Sequence, residues 1–217
     1  MTHPRRHQFP VENQNTPPRP QSSRPEKTSS PMEQLGEVSV ILPDGFEPSY
    51  RYPLIVWLCS DRRERFEMLQ RFPSISDRNY IGLVIEYPDE WLIDRLDDHF
   101  QAWLKSQIDL LPVHRQRIYL AGTGFLGEIA SRMSGQLNLP IAGAISLLSD
   151  TINAASIEQK KRHFWIPSTK AQEQAHATPP VSSPLLWVIE NGDLNVQSTL
   201  WRDIDRFIMQ GIYSAIG

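Results

Sequence analysis

Arg117-Ile-Tyr-Leu-Ala-Gly-Thr-Gly-Phe-Leu-Gly-Glu-Ile-Ala130 reads as a strand, a glycine-rich turn and the opening of a helix. The successive apolar residues Ile118–Ala121 suit a strand covered on both faces. The glycines that follow let the backbone turn sharply and approach a neighbour closely. In an open α/β sheet, ligands bind outside the carboxyl ends of the strands. Gly122, Thr123, Gly124 and Phe125 are therefore candidate binding residues, together with Cys59 and Ser60 at the end of an earlier apolar run.

Similar runs flank this stretch: Val38–Leu42, Leu54–Cys59, Ile81–Ile85, Ile141–Leu148 and Leu185–Ile189. Helical patterns separate them. Trp91–Leu111 places Leu92, Leu96, Phe100, Trp103, Leu104, Ile108 and Leu111 along one stripe, and Glu128–Leu137 and Leu200–Met209 are shorter versions. Strands alternating with helices predict βαβ units and a doubly wound, mostly parallel sheet. Asn153–Pro184 breaks the rhythm; it is polar, contains Pro167, Pro179 and Pro180, and predicts a poorly packed excursion.

Charge and composition narrow the function. The chain has 217 residues, 22 Lys and Arg against 25 Asp and Glu, and a net charge of −3. That balance argues against a nucleic-acid partner, which calls for a basic excess on one face. No apolar run approaches the ~18 residues of a membrane span. A single cysteine, Cys59, excludes an internal disulfide and a cysteine-built zinc site. No apolar segment follows Arg5 and Arg6, so no secretory signal is visible and the expected location is cytoplasmic. Seven of the 18 prolines lie in residues 1–35, which lack apolar periodicity and predict a disordered tail; residues 36–217 form the expected domain. Pro17-Pro-Arg-Pro20 fits a minimal PxxP ligand, and a plain linker explains it as well.

Four phrases together resemble the α/β-hydrolase superfamily, in its esterase, carboxylesterase and polyhydroxybutyrate-depolymerase-like branch. Tyr52-Pro-Leu-Ile-Val-Trp-Leu58 is similar to that family's early strand, and Leu42-Pro-Asp-Gly-Phe-Glu-Pro-Ser49 to the lead-in before it. Arg115-Gln-Arg-Ile-Tyr-Leu-Ala-Gly122 resembles the approach to the nucleophile elbow, and Ile141-Ala-Gly-Ala-Ile-Ser146 the next strand. The resemblance runs collinearly from about Val38 onward. It implies an α/β-hydrolase-like sheet and a Ser–His–acid site needing neither cofactor nor metal.

At the site positions this chain departs from the pattern. In the family's Gly-x-Ser-x-Gly elbow a serine is exposed on a strained turn. Here Gly122 matches the first glycine, Gly124 stands at the serine and Leu126 at the second glycine. Cys59-Ser60 replaces the family's His-Gly, and Asn195 stands at the acid position with Asp193 two residues before it. Gly211-Ile-Tyr-Ser214 looks like the start of the last strand. The sequence stops at Gly217 with no histidine after it, so the sheet is expected to be shortened at its C-terminal edge, and an incomplete gene product would look the same. Thr123 and Ser131 lie off the nucleophile position, and His163 and His176 come before the acid in chain order. Acyl transfer needs nucleophile, base and acid within hydrogen-bond reach. The expectation is therefore a non-catalytic relative that binds a small acyl-type ligand or a protein partner, with self-association through an exposed sheet edge. An active ester hydrolase with an atypical or partner-completed site is the alternative.

A third reading takes Gly122-Thr-Gly-Phe-Leu-Gly127 as the dinucleotide fingerprint G-x-G-x-x-G, which would hold NAD or NADP at a helix N-terminus. The phrase also resembles that of short-chain dehydrogenase-like epimerases, with Asp150 as the ribose-binding acid. Three earlier strands and the absence of a Tyr-x-x-x-Lys pair speak against it. Asp94, Asp97, Asp98 and His99 read as the solvated face of a helix. Trp57, Trp103 and Trp187 read as core, as do Trp91 and Trp165 unless they line a pocket. Cys59 reads as a small buried group.

Overall fold

The computed structural model describes residues 37–76, 78–87, 96–152, 161–171, 186–188 and 197–214. The Pro-rich tail, Trp91, Asp94, His176, Asp193 and Asn195 lie outside them, as does the Trp187 side chain. Among the described residues seven strands form one sheet in the order β1-β3-β2-β4-β5-β6-β7. These are β1 (Val38–Ile41), β2 (Tyr52–Cys59), β3 (Ile81–Glu86), β4 (Val113–Thr123), β5 (Ile141–Ser149), β6 (Arg162–Pro167) and β7 (Leu186–Val188). β1 runs antiparallel to β3, and the other pairings among the described residues are parallel.

Every residue of β2 is buried, as expected of a strand covered on both faces. Helices α1 (Arg62–Arg71), α2 (Leu96–Leu110), α3 (Phe125–Gln136) and α4 (Gln197–Ser214) supply the covers. Phe100, Trp103, Leu104 and Ile108 of α2 join Ile129, Ala130 and Met133 of α3 against Leu54, Val56 and Leu58. On the other face Met68 of α1 joins Leu200, Trp201, Ile204 and Phe207 of α4 against Ile55 and Trp57. Alternate residues of one strand thus feed two separate cores, which is the doubly wound arrangement.

Two expectations need correction. Gly211–Ser214 does not begin a strand; it forms the last turn of α4, continuing a helix whose apolar stripe fixes it to the sheet. The Asn153–Pro184 excursion contains a strand among its described residues. In β6, His163 through Pro167 are buried, and Gly143 to Leu147 of β5 pair with Arg162 to Ile166. The charged flanks and terminal proline disguise a Phe-Trp-Ile run that packs in the core. Other expectations agree with the structure: Asp98 and His99 are exposed on α2, and Cys59 is buried without exposed surface.

Candidate active site

The chain order reverses between β2 and β4: β3 lies on one side of β2, whereas β5, β6 and β7 follow β4 on the other. In sheets of this kind the crevice outside the carboxyl ends of two such strands is the usual place for a ligand. Cys59-Ser60 lies at the end of β2 and Gly122–Phe125 at the end of β4, so the topology brings the two predicted candidate segments together.

Gly124 is the apex of the turn between β4 and α3, with φ +57° and ψ −129°. An L-residue adopts that conformation only under strain, typical of a nucleophile elbow. Three hydrogen bonds hold it. The Gly124 amide donates to the Leu147 carbonyl at 2.7 Å, and its carbonyl accepts from Gly127 N at 3.0 Å and Glu128 N at 3.3 Å. The flanking glycines permit the close approach: a methyl on Gly122 would lie 2.6 Å from the Leu126 backbone, and one on Gly127 3.0 Å from the Gly122 carbonyl oxygen. A methyl on Gly124 would meet nothing within 4 Å among the described residues. The elbow is therefore built and faces open space, but its apex carries no oxygen or sulfur to attack a carbonyl. Beside it, Leu148 has φ +50°, where the β5–β6 register shifts, so backbone strain sits next to the Leu147 carbonyl that accepts the Gly124 bond.

The opposite wall is polar and already partnered. Asp61 caps α1 by accepting from Glu64 N at 2.8 Å, and Glu64 Oε2 accepts from Ser60 N at 2.7 Å and Ser60 Oγ at 2.8 Å. This is a variant of the capping box. In an acyl-transfer site a backbone N–H from this loop would face the developing oxyanion; here the Ser60 N–H faces a carboxylate. The Cys59 thiol is buried, and desolvation raises its pKa, with Glu64 adding to the rise. It is a poor thiolate source.

Thr123 is half-buried and Phe125 stands 56% exposed beside the apex. Thr123 lines a small cleft with Trp57, Glu64, Glu67, Leu147 and Trp201. The sequence reading passed over Glu64 and Trp201. An Asp61-x-x-Glu64 spacing before a helix was the available signal for the first; nothing local marked the second.

His163 stands elsewhere. It has no exposed surface, and its Nδ1 lies 3.4 Å from Ser131 Oγ, which is also buried. Burial lowers its pKa to about 4. This pair ties β6 to α3 in the core, so His163 is neither a surface histidine nor a group at the elbow. Trp165 is core, donating from Nε1 to Ser149 Oγ at 3.0 Å. Asp150 accepts from Ser168 Oγ and lies 2.9 Å from Lys170 Nζ; the Ser168 hydroxyl and then Lys170 hold its carboxyl below the usual range. The acid expected to meet a ribose is thus engaged by Ser168 and Lys170, just beyond β6. Among the described residues no group of three His, Cys, Asp or Glu side chains forms a metal site, and no helix is long and apolar enough to cross a membrane.

No family model and no curated sequence matches the chain. Solved structures do. Esterase 2 of Thermogutta terrifontis, phosphorylated by paraoxon, superposes with a TM-score of 0.58 at 12% identity, over 80% of this chain and 88% of the esterase. FphF, a fluorophosphonate-binding serine hydrolase of Staphylococcus aureus, gives 0.58 at 10% identity, over 79% and 91%. A 2,6-dihydroxy-pseudo-oxynicotine hydrolase gives 0.52 at 12% identity, over 80% and 65%. With the elbow and the strand order, these likenesses define the class: the chain has the α/β-hydrolase fold.

Proposed function

We propose that this chain is a non-catalytic member of the α/β-hydrolase fold class, which binds a small acyl-type ligand or a protein partner at the β2–β4 crevice. One observation carries the reading: the apex of a fully formed elbow is Gly124, with open space where a nucleophile's side chain would stand. The Glu64 carboxylate on the Ser60 amide supports it, because a fixed negative charge there opposes an oxyanion instead of stabilising it. Self-association through an exposed sheet edge is part of the same proposal.

The test is turnover of p-nitrophenyl acetate and butyrate by the full chain. The expected result is no rate above buffer. Turnover that disappears on Asp193→Asn would overturn the proposal in favour of an active ester hydrolase. The preserved elbow is the observation favouring that second reading. The dinucleotide reading predicts a thermal shift with millimolar NAD or NADP, and no shift is the result expected here.

A further inference from the structure

We infer that the groove where β2 and β4 begin, beside the end of α2, is a binding site for a small organic carboxylate. It lies at the opposite end of these strands from the Gly124 elbow. About 560 Å³ of space opens there, within the roughly 300–1,000 Å³ usual for small-molecule sites. Two backbone bonds shape this corner. Tyr52 N donates to the Pro112 carbonyl at 2.8 Å, and Val113 N donates to the Leu111 carbonyl at 2.8 Å. They hold Arg51, the residue before β2, beside the start of β4. Ile108 and Val113 close the floor, and half-buried Leu111 offers apolar surface above them. The methylene stems of Arg51 and Arg115 extend that surface.

The ionic groups of the lining are Arg51, Arg115 and Asp109. Arg115 Nη2 lies 2.9 Å from Asp109 Oδ1, so the one carboxylate is already matched. Arg51 is exposed and has no ion pair among the described residues. His114 adds a neutral donor: its Nδ1 accepts from Gln116 N at 3.3 Å, which leaves the ring proton on Nε2. Desolvation, and then the charge of nearby Arg117, hold that ring below its ordinary pKa.

An unmatched guanidinium at the rim of a partly apolar groove suits an acid group on an apolar body. Guanidinium and carboxylate pair through two parallel hydrogen bonds, and the body of the ligand covers Leu111. A cation would instead meet Arg51 with Arg117 close by. Nothing in this groove depends on what stands at position 124, so the inference stands or falls separately from the proposed lack of catalysis.

The probe is sodium 4-phenylbutyrate, titrated into the full chain by isothermal calorimetry. Neutral 4-phenylbutanamide and cationic 4-phenylbutylammonium, which share the apolar body, are the controls. Saturable binding of the carboxylate, tighter than that of either control, is expected. Arg51→Gln should weaken it by roughly 2- to 5-fold, the scale of one exposed ion pair. Asp109→Asn should tighten it by a similar factor, because Arg115 is released to the ligand. Both positions are exposed, and the opposite signs separate a charge effect from loss of folding. Absence of saturation, equal binding of the amide or the ammonium, or unchanged affinity in Arg51→Gln would each overturn the inference.

Discussion

The Gly124 amide donates to the Leu147 carbonyl at 2.7 Å, pinning the apex of the elbow to the end of β5. A turn at φ +57° and ψ −129° is held by this tertiary bond and by the first turn of α3, and glycine makes it inexpensive.

Gly124→Ser tests that account. The serine Cβ meets nothing within 4 Å among the described residues, so the cost is backbone strain alone, about 1–3 kcal/mol. Urea unfolding should show that loss with the native circular dichroism spectrum intact.

Gly122→Ala tests the opposite kind of constraint. Its methyl would lie 2.6 Å from the Leu126 carbonyl carbon and oxygen, so α3 must move away from β4. Overpacking of this kind costs typically about 1–3 kcal/mol. A loss below about 0.5 kcal/mol in urea unfolding would contradict the close approach.

His163 predicts a pH dependence. Its folded pKa of about 4 lies below the ordinary 6.5 because burial disfavours the charged ring. The unfolded chain therefore binds the proton more readily between those values, and stability falls as pH drops through that window. The loss reaches up to about 3 kcal/mol near pH 4. His163→Phe should flatten this part of the pH profile of chemical denaturation, leaving the contribution of the carboxylates.

Arg65 fastens the sheet's antiparallel edge. Its buried guanidinium donates from Nη1 to Ser39 Oγ at 2.7 Å and pairs through Nη2 with Glu37, while its Nε has no hydrogen-bond partner among the described residues. Arg65→Ala leaves those acceptors without their donor and should cost about 1–3 kcal/mol. Hydrogen exchange should show β1 amides losing protection before those of β2.

Much of the fold was legible because it is written locally. An all-apolar run such as Leu54–Cys59 can only be buried on both faces, and the stripe through Phe100, Trp103, Leu104 and Ile108 fixes the buried side of α2. β6 was not legible: Arg162 and Pro167 bound it, and its buried imidazole is explained by Ser131, 32 residues earlier in the chain. The Gly-Ile-Tyr run at 211–213 has strand-like composition, and the helix that contains it prevails because Ile204, Phe207 and Ile208 are already packed. The sequence has Gly124 where the resemblance expects a serine. That the backbone there keeps the elbow conformation follows from a hydrogen bond to β5, which no local pattern encodes.

The most direct measurement of the central claim is the intact mass of the full chain after incubation with an excess of a fluorophosphonate. The account predicts an unchanged mass, because no activated serine stands at the elbow. Stoichiometric gain of one phosphonyl group, blocked by prior denaturation, would contradict it.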